Sequence, residues 1–175
     1  MHAVRFFVLS LIAGHTLVHA QAPRQADTRG ACATESELMI AGVTLDDTRT
    51  SVRKKLGNPS SLKSGASEDD GGQYKTLTYT YKRIEIVFGR SGIEKISTSS
   101  PQVAAARGVT VGMTETQVGE RLGFAPEPES GPYQIRLSGC RPPQMDQLIF
   151  VFAPASLTSG KAVQLVEITI TRYGP

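Results

Sequence analysis

An acid–base pair of carboxylates, such as Glu85 with Glu167, is the catalytic constellation this sequence could offer. Each sits in a segment whose apolar and polar residues alternate. Two carboxyl groups flanking a scissile bond can serve as acid and as base or nucleophile, so a hydrolase of that kind is the enzymatic reading open to the chain. Their positions in the sequence give no sign of a shared cleft. A carboxylate on an outward strand face is the simpler reading. Other chemistry is scarcer. His2, His15 and His19 are the three histidines, and all precede residue 21. If that segment is removed, neither a Ser–His or Cys–His nucleophile pair nor an imidazole metal ligand is left. Cys32 and Cys140 lack a C-x-x-C partner, so a redox or metal role is not expected of them. Asp46 and Asp47 precede a short helical pattern, where negative charge complements the helix dipole. The run from Glu68 to Gly72 lacks the alternating ligand spacing of a calcium loop. The expectation is therefore a non-enzyme with neither cofactor nor metal.

The first twenty residues set the expected compartment. Arg5 supplies positive charge, Phe6 to Ala13 is apolar, and Val18-His19-Ala20 ends in small residues. This is the pattern of a secretory signal peptide cleaved after Ala20. The apolar run is far shorter than the ~20 residues of a membrane span, and no cysteine follows the cleavage point for lipid attachment. A periplasmic or secreted chain is expected, without membrane span or lipid anchor. In such a compartment two cysteines read as one disulfide, Cys32–Cys140. The net charge of the chain is only +3, and its one dense basic cluster, Arg53-Lys54-Lys55, falls on the outer face of a short helix. A nucleic-acid partner is not expected, because the basic stripe such a surface needs is missing.

The elements that must position these side chains come from an internal repeat. GVTLDDTRTSVRKKLG at 42–57 and GVTVGMTETQVGERLG at 108–123 are identical at half of their positions. The shared positions include Thr48/Thr114, Val52/Val118, Leu56/Leu122 and Gly57/Gly123. Thr114 and Gln117 form a capping-box pattern, and Met113 is placed to staple onto Val118. Val118 and Leu122 share one helix face. Gly123 and then Pro126 stop the helix. In the first copy, Thr48 caps, Val52 and Leu56 are buried, and Gly57 and Pro59 terminate. Helices this short are unstable alone and must pack on a sheet.

The sheet is legible as period-two alternation. Leu77, Tyr79 and Tyr81 alternate with Thr76, Thr78 and Thr80. Ile84, Ile86 and Phe88 alternate with Arg83, Glu85 and Val87. After the turn at 89–92, Ile93 and Ile96 open another strand. In the second half, Tyr133, Ile135 and Leu137, then Leu148, Phe150 and Phe152, then Val166, Ile168 and Ile170 mark three more. Residues 60–73 read as a solvated loop. The predicted fold is α+β: two tandem helix-plus-antiparallel-sheet repeats, with short helices on one face of the sheet. The predicted division is a signal peptide at 1–20, a flexible leader with Cys32 at 21–36, a first repeat at 37–98, a linker at 99–107 and a second repeat at 108–175. Ser100 is placed to cap a single turn within the linker.

The Gly112-Met113-Thr114 opening, with Gln117, Val118, Leu122, Gly123 and Pro126 following, resembles the signature of two related groups. One is the BamE/SmpA type of small outer-membrane assembly lipoproteins. The other is the β-lactamase-inhibitory protein group, in which two such units stand in tandem. The tandem arrangement is more similar to the inhibitors. That resemblance implies joined sheets with a concave face that grips a protein partner. The first copy departs from the signature at Asp46-Asp47. The chain also departs from the inhibitors, which bridge cysteines within each repeat, and from the lipoproteins, which carry a lipid-attachment cysteine. The expected function is an exported protein-binding module, such as a periplasmic inhibitor, whose partner the sequence does not identify. Its candidate surface is Tyr74, Thr76, Thr78, Thr80, Arg83, Glu85, Gln134, Arg136, Glu167 and Thr169. The alternative is an accessory protein of cell-envelope assembly.

Overall fold

A computed structural model of the chain describes residues 32–123, 134–140, 146–153 and 163–172. The expected signal peptide, residues 21–31 of the leader, Pro126, Tyr133 and the loop at 154–161 lie outside the described residues. The elements run α1 (Arg49–Leu56), β1 (Ser61–Asp69), β2 (Gly72–Tyr81), β3 (Ile84–Gly89), β4 (Gly92–Thr98), α2 (Glu115–Leu122), β5 (Gln134–Ser138), β6 (Asp146–Phe152) and β7 (Leu165–Arg172), with a 3-10 turn at Ala106–Gly108. The architecture is mixed α+β: one seven-stranded sheet and two short helices, the strands ordered β1-β2-β3-β4-β7-β6-β5. Every neighbouring pair of these strands is antiparallel.

Both helices start at the expected threonines. The Thr48 hydroxyl accepts from the Ser51 N–H at 3.2 Å. At α2 the box closes in both directions: Gln117 N–H donates to the Thr114 hydroxyl, and Thr114 N–H donates to Gln117 Oε1 at 2.9 Å. Gly123 ends α2 with φ 83° and ψ 29°, the left-handed conformation that costs glycine nothing. Val52, Val118 and Leu122 belong to the same buried cluster as Tyr79, Ile86, Phe88, Ile96, Leu148, Phe150 and Ile168. One face of the sheet is thus the core face, and the helices cover it. Two arginines of α1 contribute to that cover: the Arg49 guanidinium lies 5.5 Å from the Phe88 ring centre, and that of Arg53 lies 5.2 Å from Tyr79. Arg53 is thus more than part of a solvated basic cluster. Its cation rests on an aromatic face, which attracts it electrostatically.

Three expectations need correction. Residues 61–69, read as loop, form the strand β1, which pairs with β2 along its whole length from Ser61↔Thr80 to Asp69↔Gly72. All of β1 is exposed. No apolar alternation marks it, because hydrogen bonds to β2 hold it rather than burial. Val166 was expected in the core but is 41% exposed, and Leu165 takes its place. The register shifts between Val151 and Phe152, leaving Val166 as an extra residue in β7. Such a bulge resets which side chains face inward. A shift between Val87 and Phe88 does the same at Glu94, so Ile93 and Ile96 are both buried although three residues apart. Finally, the leader expected to be flexible over 21–36 is pinned from Cys32 onward. Ala33 is fully buried and bridges Gly139 in parallel, and Cys32 is bonded to Cys140.

Candidate functional site

The face away from the helices carries the residues singled out by alternation. Opposed residues in an antiparallel pair point to the same side, so the register defines rows across the sheet. One row runs Ser61, Thr80, Glu85, Ser97, Thr169, Ile149, Arg136. The next runs Lys63, Thr78, Val87, Lys95, Thr171, Gln147, Ser138. Glu167, Val151 and Gln134 begin a third. Thr76, Thr78, Thr80, Glu85, Gln134, Arg136, Glu167 and Thr169 therefore share one face, on which Thr169 is buried at 6% exposure. Tyr74 shares it at the margin. Its hydroxyl donates to Glu94 at 3.1 Å, and Arg90 stacks 5.0 Å from its ring centre.

Arg83 is placed differently from the expectation. It does not alternate within a strand but stands in the turn between β2 and β3, with φ 61°. Its carbonyl accepts from the Ser99 N–H and the Thr98 hydroxyl, both at 3.0 Å, and these bonds hold a conformation that a non-glycine residue adopts at a cost. From that turn it lines a shallow cavity of about 310 Å³, together with Thr80, Glu85, Lys95, Ser97 and Glu167.

Within the cavity the two carboxylates differ. Glu167 accepts from the Thr169 hydroxyl at 2.9 Å and faces Lys95 Nζ at 3.5 Å. Glu85 projects from β3, opposite Ser97. β4 separates β3 from β7, so the backbones at Glu85 and Glu167 are about 12 Å apart, taking ~4.8 Å per strand and ~3.4 Å per residue. Along the far margin, Arg136 Nη2 donates to Gln134 Oε1 at 2.9 Å. Alternation missed Lys95, Ser97, Thr171, Ile149 and Val151. The first three follow the bulge at Glu94 or pair across it. The three-residue interval from Ile93 to Ile96 is the signal that could have found them, since an unbroken strand would bury every second residue. Ile149 and Val151 sit in an almost continuously apolar strand, which offers no parity to read.

Among the described residues, no group of three or more His, Cys, Asp or Glu side chains is arranged to hold a metal. No described helix is long and apolar enough to cross a membrane. No protein-family model matches the chain, and no curated protein matches it. Among solved structures it is similar to the uncharacterized protein yfeY from Escherichia coli. That likeness has a TM-score of 0.48 and 13% identity, over 81% of this chain and 100% of that one. It is also similar to an extracellular protein containing an SCP domain from Bacillus anthracis, with a TM-score of 0.35 and 12% identity, over 93% of this chain and 50% of that one. At these scores neither likeness bears on function.

Proposed function

We propose that the chain is an exported, non-catalytic protein-binding module that uses the face opposite its helices. The observation that carries this reading is the register. It gathers threonines, charged side chains and the half-buried Val87 and Val151 onto the face away from the helices, around a buried centre of Ser97, Thr169 and Ile149, while the described helices and the core occupy the other face. Mixed polar and apolar surface of this kind is what a non-obligate interface is made of. Export is supported by the Cys32–Cys140 disulfide, because such bonds persist in oxidising compartments.

Two tandem units of the BamE/SmpA and β-lactamase-inhibitory kind are part of the proposal. The bulges support it. Matching Phe88 with Phe152 and Ile93 with Leu165 makes Lys95 the counterpart of Glu167, and Ser97 that of Thr169. Ser97 and Thr169 pair directly across the β4–β7 seam, and Lys95 and Glu167 form an ion pair there. Counterparts would meet in this way if a two-fold axis related the halves. The test is affinity capture from the periplasmic or secreted fraction. A discrete enzyme held by the open face is the expected result. Recovery of envelope-assembly machinery would favour the accessory role, and no captured protein would count against the module.

A further inference from the structure

The two edges of the sheet are treated differently. The outer edge of β5 is short, and Ala33 occupies its end, donating to Ser138 O at 2.8 Å and accepting from Cys140 N–H at 2.9 Å. The outer edge of β1 is nine residues long, exposed throughout, unbroken in its register with β2, and free of proline. An edge of that length presents a row of backbone donors and acceptors to another strand.

We infer that β1 pairs antiparallel with β1 of a second copy, joining two seven-stranded sheets edge to edge. The charge layout selects this occupant. Lys63 lies toward one end of the strand, and Glu68 and Asp69 lie at the other, so the strand is complementary to itself when reversed. A two-fold axis normal to the sheet keeps each residue on its own face, so the centre of symmetry must fall on a residue. With Ala66 at the centre, Gly65 meets Ser67, Ser64 meets Glu68, and Lys63 meets Asp69, each twice by symmetry. Lys63 and Asp69 both lie on the open face, as their partners Thr78 and Gly72 do. Opposite charges directly across a strand pair are stabilising. Asp69 also lies 3.4 Å from Arg90 of its own chain, so it would sit between two cations. A centre at Gly65 would instead set Leu62 against Glu68 and Lys63 against Ser67, with no charge pair.

Sedimentation over a dilution series of the purified protein tests this. Dimer at high concentration, dissociating on dilution, is expected. Lys63→Asp should give monomer mass with unchanged circular dichroism, and adding Asp69→Lys should restore the dimer. A short thiol cross-linker should join copies of Ala66→Cys but not of Leu62→Cys, whose symmetry mates stand about 27 Å apart at ~3.4 Å per residue. Monomer at every concentration, a dimer indifferent to Lys63→Asp, or cross-linking at Leu62→Cys in place of Ala66→Cys would overturn the inference.

Discussion

Two arginine side chains hold together parts of the chain that are far apart in sequence. Arg172 on β7 donates to Asp146 on β6 and to Asp46 ahead of α1, each at 2.8 Å. Asp146 is 5% exposed, so removing that partner would leave a buried carboxyl group without its ion pair. Arg172→Ala should destabilise the fold by about 1–3 kcal/mol, read as a lower denaturant midpoint. Arg107 donates to Glu37, to the carbonyl of Leu122 at the end of α2 and to the carbonyl of Cys32. Burial pushes the Glu37 carboxyl up, but the Thr34 backbone N–H, Arg107 and the Thr34 hydroxyl outweigh it and hold the group below the usual carboxylate range. Burial likewise raises Asp47, while Lys55, Ser51 and the Thr44 N–H lower it further than burial raises it. Groups with lowered folded values stabilise the fold above the unfolded pKa, about 4. That contribution disappears as pH falls through the folded values. Glu37→Gln with Asp47→Asn should therefore melt below the unmodified protein at pH 7, and the two should converge toward pH 2. Parallel melting curves at all pH values would refute this assignment. Neither arginine clasp was legible in the sequence, because ion pairs between distant segments follow from the fold and leave no local pattern.

At the scale of elements, legibility tracked burial. The helix limits were readable because caps and terminators are local chemistry: Thr48, Thr114, Gln117 and Gly123 act within one turn of themselves. Strands with one covered face were readable because water and core impose alternation. β1 was not, since exposure on both faces removes the pattern. The bulge at Val166 was not either, and the one at Glu94 left only the three-residue interval from Ile93 to Ile96, since each adds a residue and exchanges the faces beyond it. The disulfide followed from compartment and count. It ties the segment before α1 to the end of β5 across a separation of 108 residues. On the chain-entropy model a loop near that size contributes about 4.7 kcal/mol. Replacing both Cys32 and Cys140 with serine should lower stability by about 2–5 kcal/mol, measured by urea unfolding. An unchanged midpoint would mean that Ala33 and Arg107 hold the leader unaided.

At the scale of the whole molecule, the chain divides its labour between two sides of one sheet. The covered side holds the large apolar residues and both helices. The open side holds rows of threonine, serine and charge around a shallow cavity at the β4–β7 seam. The seam is where the sequence was most informative about the site and least informative about its centre: alternation named Thr169 and Glu167 but passed over Ser97 and Lys95. The most direct test of the proposed binding face is competitive capture from the exported fraction with three baits. These are the unmodified chain, a variant carrying Thr80→Lys and Glu85→Lys on the open face, and a variant carrying Lys54→Glu on the exposed side of α1. The first and third baits should retain the same partner, and the open-face variant should lose it. Retention of that partner by the open-face variant, or its loss by the helix variant alone, would rule out the face opposite the helices as the binding surface.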